Sequence, residues 1–148
     1  MTTLTGSPAG PRPDPAPGSA WDSQRLFDLI SAVSPLRIIS RCGPSTFEAI
    51  ASLERFSIAR GWLNAMQPDF HWHLDLGGLG WVRSRDQIHS RSGRRVMFLE
   101  LAASAEQAPF LLVYLYRPKG AEFTPEQEAR FAEAHADLAN GLRLEKTS

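Results

Sequence analysis

The sequence predicts an α+β domain, in which an antiparallel sheet of about six or seven strands is flanked by an N-terminal and a C-terminal helix. Apolar residues recur at helical spacing only near the two ends of the chain. Between them, short apolar segments alternate with turns that contain Gly or Pro. Because the order is helix, strands, helix, with no βαβ rhythm, we expect the strands to be antiparallel.

The composition predicts a single domain in a reducing compartment. The chain has 148 residues, and its 16 basic residues balance its 16 acidic ones, so no global field favours nucleic acid or a membrane surface. We expect residues 1–19 to be a disordered Pro-rich tail and residues 20–146 to be the domain. With one cysteine, no apolar run long enough for a membrane span and no signal-peptide pattern, we predict a cytoplasmic location. The cysteine, Cys42, is expected to be a buried or half-buried thiol.

The first half of the chain predicts one helix followed by short strands. Asp22 or Ser23 can cap a helix that Pro35 ends. A strand is expected over residues 36–41. Residues 45–58 fit a helix by composition and a strand by alternation, and we favour a strand because turns and strands flank them. Another short strand is expected over residues 61–64.

The second half predicts three strands and the last helix. The strands are expected over residues 79–84, 95–101 and 110–116, with a polar loop over residues 86–93. The third is the most continuously apolar, which is typical of a central strand. Thr124, Pro125 and Gln127 form the start of the helix, with Gln127 placed for a capping box.

One strand, residues 70–76, carries the most distinctive pattern in the chain. Its side chains alternate strictly, so His71, His73 and Asp75 share one face, and the apolar residues share the other. The two imidazoles lie about 6.6 Å apart along the strand. Such a pair can offer one or two ligands to a metal ion or a haem iron. The alternative is that one histidine faces solvent and the other makes a hydrogen bond in a groove.

Arginines and tryptophans surround this strand. The cluster of Arg83, Arg85, Arg91, Arg94 and Arg95 could bind carboxylates, phosphates or an acidic partner, or form a solvated hairpin. We expect no nucleic acid, since no aromatic platform is interleaved with the arginines. The rings of Phe70, Trp62, Trp72 and Trp81 could form one aromatic wall, which would pack in the core or against a flat ligand.

Several short segments follow one another in a particular order. They are Gly61–Asn64, Asp69–Leu74, Trp81–Arg83, a loop closed by Gly93, Val96–Leu101, Leu111–Tyr116 and Arg117–Gly120. Their order and spacing resemble those of the cytoplasmic haem-utilisation proteins. This family includes single-domain haem carriers and two-repeat haemin-transport or haemin-degrading proteins.

The resemblance implies a sheet-rich α+β domain that binds haem non-covalently. His73 or His71 would be the axial ligand of the iron, because residues 41–50, where the longer proteins carry a ligating histidine, contain none. Arg83, Arg85 and Arg95 would hold the propionates, and Trp72 and Trp81 would contact the ring. A homodimer and a haem donor or acceptor protein are the implied partners.

The favoured function is therefore a haem carrier or storage protein without catalytic residues. Two alternatives remain open: a haem-free member of the same fold that acts as an interaction or small-ligand module, and a haem-degrading enzyme.

Overall fold

The described part of the chain is residues 20–146 of a computed structural model. The tail predicted for residues 1–19 lies outside the described residues. The elements are α1 Ser23–Ala32, β1 Leu36–Cys42, β2 Ser45–Ala51, β3 Ser57–Ala59, β4 Trp62–Met66, β5 His71–Asp75, a 3-10 helix Leu76–Gly78, β6 Trp81–Ile88, β7 Arg95–Ala102, β8 Leu111–Leu115, α2 Pro125–Leu138 and β9 Leu142–Arg143. The α+β class with helices towards both ends is confirmed.

The strands form two antiparallel sheets. The larger has six strands in the order β2-β1-β8-β7-β6-β9, and the smaller has three in the order β3-β4-β5. The apolar strand β8 lies between β1 and β7, so its predicted central position is confirmed. The predicted antiparallel sheet of about six or seven strands is confirmed by the six-stranded sheet. The structure adds a second sheet, because within residues 20–146 the strands β3, β4 and β5 pair with one another.

Helix α1 lies in the middle of the hydrophobic core. All of its residues are buried or half-buried, and Phe27 contacts the edge of Trp72 in β5 with ring centroids 5.8 Å apart. Trp72 therefore faces inward from the three-stranded sheet. Asp22 caps the helix by accepting a hydrogen bond from the Arg25 backbone N–H.

Helix α2 packs on one face of the six-stranded sheet. Ser84 of β6 forms a 2.6 Å hydrogen bond with Nδ1 of His135 in α2. Because side chains alternate along β6, Arg83 and Arg85 point to the opposite face, which we call the open face. Phe98 and Tyr114 stack on this open face, with ring centroids 4.4 Å apart.

Several boundaries differ from the sequence-based expectation. Strand β6 continues to Ile88, into the predicted loop, because Asp86, Gln87 and Ile88 pair with β7. Residues 76–78 leave the extended conformation, since the Asp75 carboxylate accepts from the Gly77 N–H and caps a 3-10 turn. The short strands β3 and β9 were not predicted.

The hairpin of β1 and β2 projects from the domain. Every residue from Ser40 to Ile50 is exposed. The expectation of a buried or half-buried Cys42 is therefore wrong, because this residue ends β1 at the tip of the hairpin. Among the helices described, none is long and apolar enough to cross a membrane.

Candidate functional site

The outward face of the three-stranded sheet carries both predicted histidines. In the β4–β5 register, His71 lies opposite Met66, His73 opposite Asn64, and Asp75 opposite Trp62. Cross-strand partners point to the same side of a sheet. We call this face the histidine surface, and it comprises Trp62, Asn64, Met66, His71, His73 and Asp75.

A hydrogen bond to Asn64 orients the ring of His73 and selects the tautomer of its neutral form. Its Nδ1 lies 2.8 Å from Oδ1 of Asn64, while Nδ2 of Asn64 donates to the Trp62 carbonyl oxygen at 3.5 Å. With Oδ1 turned towards the ring, Nδ1 must carry the proton and donate it. The lone pair of a neutral His73 is then on Nε2. Outer hydrogen bonds of this kind orient imidazoles that ligate metals.

His71 lies beside His73 without such support. The two rings are nearly perpendicular, with centroids 6.3 Å apart, and both side chains are exposed. No group of three or more His, Cys, Asp or Glu residues able to hold a metal ion occurs within residues 20–146. The histidine surface thus offers a single well-oriented imidazole nitrogen rather than a closed set of ligands.

Exposed apolar side chains flank the oriented histidine. Trp62 is 44% exposed and Met66 is 54% exposed, on either side of the Asn64–His73 pair. A flat apolar ligand lying on this surface would cover both side chains while it received one axial nitrogen from His73. The arrangement fits haem, which has a flat apolar ring and an iron that accepts imidazole.

The three arginines predicted as propionate partners lie on the other sheet and already have partners. Arg83 donates to the Ala139 carbonyl oxygen at 3.3 Å, and Arg85 forms a 3.1 Å ion pair with Glu100. Arg95 is on the α2 side, where it pairs with Asp86 at 2.8 Å and Glu128 at 3.3 Å. The six-stranded sheet therefore separates Arg95 from Arg85, whereas Arg83 extends to the end of α2. Their role stays a prediction.

The predicted aromatic wall does not form on one surface. Trp62 is on the histidine surface, whereas Trp72 points inward against Phe27. Trp81 is half-buried in β6 and lies against Gly141, where a Cβ would collide with the indole ring. The alternation of β5 separates Trp72 from the histidines, so only Trp62 can contact a ligand held by His73.

A cavity of about 1230 Å³ lies next to the β3–β4 turn, and none of the six residues of the histidine surface lines it. It is bordered by the start of α1, the β3–β4 turn at Arg60 and Gly61, the 3-10 segment, residues 103–106 and residues 143–146. Sequence reasoning missed this cavity and Arg60. The one signal was the cluster of Gly77, Gly78 and Gly80, a pattern that indicates close backbone approach. Indeed, a Cβ on Gly80 would collide with the Ala103 carbonyl oxygen.

The described residues share their fold with several proteins of known structure. No protein-family model matches the sequence, and no curated protein matches it. The haem-binding protein ChuX aligns at 13% identity and TM-score 0.64, over 78% of this chain and 71% of ChuX. Protein AGR_C_4470 from Agrobacterium tumefaciens aligns at 16% identity and TM-score 0.63, over 78% of this chain and 66% of that one.

A longer protein contains the same fold as part of its chain. The haem-degrading enzyme ChuS from Escherichia coli O157:H7 aligns at 19% identity and TM-score 0.56, over 80% of this chain but 35% of ChuS. The present chain thus spans about a third of ChuS and just under two thirds of AGR_C_4470. At these identities the likeness is one of fold.

Proposed function

We propose that this protein is a haem-binding carrier or storage protein and that His73 is the axial ligand of the haem iron. The observation that carries the proposal is the Asn64–His73 hydrogen bond, which leaves Nε2 of His73 free. Non-covalent haem would lie on the histidine surface, against Trp62 and Met66. When bound, haem supplies an iron that accepts the imidazole. The chain supplies the oriented nitrogen and the apolar contacts.

Two further facts support haem over another flat ligand. The fold is shared with ChuX, which is described as a haem-binding protein, and with ChuS, described as a haem-degrading enzyme. The histidine surface also offers the two kinds of group that bind haem, an imidazole for the iron and exposed apolar side chains for the ring. The proposed location is the cytoplasm.

A carrier fits this surface better than a degrading enzyme. His71, His73 and Asp75 are all exposed, so haem bound there would be open to solvent and to a donor or acceptor protein. Oxygen chemistry on haem depends on a distal pocket of controlled polarity and access. Incubation of the haem complex with a reductant in air should therefore retain the Soret absorbance of intact haem, apart from the shift that reduction of the iron causes. A bile-pigment spectrum would instead support the enzyme.

The proposed partners include a second copy of the chain. The open face carries Ile50, which is 52% exposed, on the strand at the edge of the sheet. It also carries ion pairs between Arg37 and Glu48 and between Arg85 and Glu100. Because the face presents both charge signs around apolar side chains, it can complement itself across a two-fold axis.

The test of the proposed function is a titration of the purified protein with haem, followed by absorbance. Iron-free protoporphyrin is titrated in parallel. We expect a saturable Soret shift with haem and weaker binding of the iron-free ring, because an axial bond needs the metal. Equal affinity for both would favour the haem-free interaction module, and no binding of either would refute the proposal.

A further inference from the structure

We propose that Arg60 binds a propionate carboxylate of the ligand at the end of the histidine surface. This inference rests on the proposed function, because it takes haem, with its two carboxylates, as the ligand. It assigns the carboxylate contact to a residue outside the arginine cluster of residues 83–95.

The position of Arg60 follows from the strand register. Ala59 and Trp62 are the last pair between β3 and β4, so Arg60 and Gly61 form the turn between these strands. Trp62 and Asp75 form the next pair on the same face after Asn64 and His73, about 6.8 Å further along the strands. Arg60 is one step further, beyond Trp62. A ring centred over His73 and resting on Trp62 therefore directs an edge towards Arg60.

The turn holds Arg60 in a defined conformation. Its φ is 54° and that of Gly61 is 79°. Positive φ at both central residues is the mark of a type I′ turn, the two-residue turn that suits a twisted hairpin. Arginine is uncommon with positive φ, where Asn, Asp and Gly are favoured. Fold requirements alone therefore do not explain an arginine at this position.

The guanidinium of Arg60 has no partner within residues 20–146. By contrast, Arg85 pairs with Glu100, and Arg95 pairs with Asp86 and Glu128. Binding of a carboxylate by Arg85 or Arg95 would compete with an existing ion pair, whereas Arg60 is exposed and available. An arginine of this kind can hold a carboxylate through two parallel N–H···O bonds.

The surroundings also favour Arg60 over Arg55, the arginine at the other end of the surface. Arg60 is exposed and borders the 1230 Å³ cavity, so open space surrounds its side chain. The nearby Asp75 carboxylate is already bound to the Gly77 N–H at 2.9 Å. At the other end, Arg55 lies near two carboxylates, since Glu54 precedes it in the chain and the exposed Asp69 lies in the turn at that end. The backbone carbonyl of Arg55 accepts a hydrogen bond from the Gln67 side chain at 2.7 Å.

The experiment compares Arg60→Asn with Arg55→Asn for haem and for haem dimethyl ester, which lacks both carboxylates. Asparagine tolerates positive φ, so the turn should be retained, and far-ultraviolet circular dichroism verifies the fold. We expect Arg60→Asn to weaken haem binding by about tenfold, because the charge-assisted contact with the propionate is lost at an exposed position. The Soret maximum and the affinity for the ester should not change, because His73 remains. Arg60→Lys should lie between wild type and Arg60→Asn.

Each failure has its own signature. If wild-type protein gives no Soret shift, the proposed function and this inference are both refuted. If wild type binds haem but Arg60→Asn binds it equally well, only the inference is refuted. A loss in Arg55→Asn rather than Arg60→Asn would mean that the carboxylates lie at the opposite end, which also refutes it.

Discussion

The pair of Asp86 and Arg95 ties two neighbouring strands together at the level of single residues. Two nitrogens of Arg95 donate to the two carboxylate oxygens of Asp86, at 2.9 and 2.8 Å. This hydrogen bonding holds the pKa of Asp86 below its ordinary value of 3.8, against the opposing effect of burial. Since the Arg95 side chain is 43% exposed, solvent screens the interaction.

The Asp86→Asn variant should lose more stability at neutral pH than in acid. The pKa of Asp86 is lower in the folded state, so its stabilisation is present above about 3.8 and disappears as pH falls through the lowered value. We expect a loss of about 0.5–1 kcal/mol at pH 7 and a smaller difference at pH 2–3, measured by urea denaturation. Asp69→Asn, a change at an exposed turn carboxylate, is the control. A deficit that is constant across this pH range would contradict the interpretation.

His73 shows what a sequence can and cannot disclose about one residue. The alternation of residues 70–76 predicted the face on which both histidines lie, because a strand has a period of two. It could not distinguish His73 from His71, since the distinction comes from Asn64, nine residues earlier in the chain. The contact between Asn64 and His73 depends on how β4 pairs with β5. The register of that pairing cannot be predicted from the residues of either strand alone.

Gln127 joins three elements at the start of α2. It completes the predicted capping box with Thr124. Gln127 is buried, with 2% of its surface exposed. Its side-chain amide also donates to the carbonyl oxygens of Val33 at 3.1 Å and Tyr116 at 3.2 Å. The capping box was predictable from local sequence. The bonds to Val33 and Tyr116 were not, because those residues are distant in the chain.

Gln127→Ala should therefore destabilise the protein more than the loss of a helix cap does. We expect about 2–3 kcal/mol, because buried carbonyl groups lose their donor. Thr124→Ala, which removes the cap alone, should cost about 1 kcal/mol. Chemical denaturation of both variants and of the exposed control Glu126→Ala measures the difference. Equal losses for Gln127→Ala and Thr124→Ala would show that the long-range bonds contribute little.

At the level of elements, the division of the strands into two sheets also could not be predicted from local sequence. The expected strands of residues 61–64 and 70–76 correspond to β4 and β5. The third strand of their sheet, β3, has three residues and a weak pattern of its own. Strand β9, with two residues, exists because the chain after α2 returns along β6. Such short strands are determined by tertiary pairing rather than by their own residues.

The molecule as a whole has a helix-covered face and an open face on its larger sheet. Because the open face carries Ile50 and the Phe98–Tyr114 stack, we expect the protein to be a dimer in sedimentation equilibrium. Ile50→Asp should shift it towards monomer by placing a charge in the interface. Ile88→Asp is the matched control, since Ile88 is 64% exposed but lies on the helix-covered face. A monomeric wild-type protein, or equal effects of the two variants, would refute this interface.

The measurement that tests the central claim most directly is haem binding by His73→Gly, with and without added imidazole. We predict that this variant loses the saturable Soret shift and that imidazole restores it by supplying the missing axial nitrogen. His71→Gly should bind haem like the wild type. If His73→Gly titrates like the wild type, or if His71→Gly is the variant that needs imidazole, His73 is not the ligand.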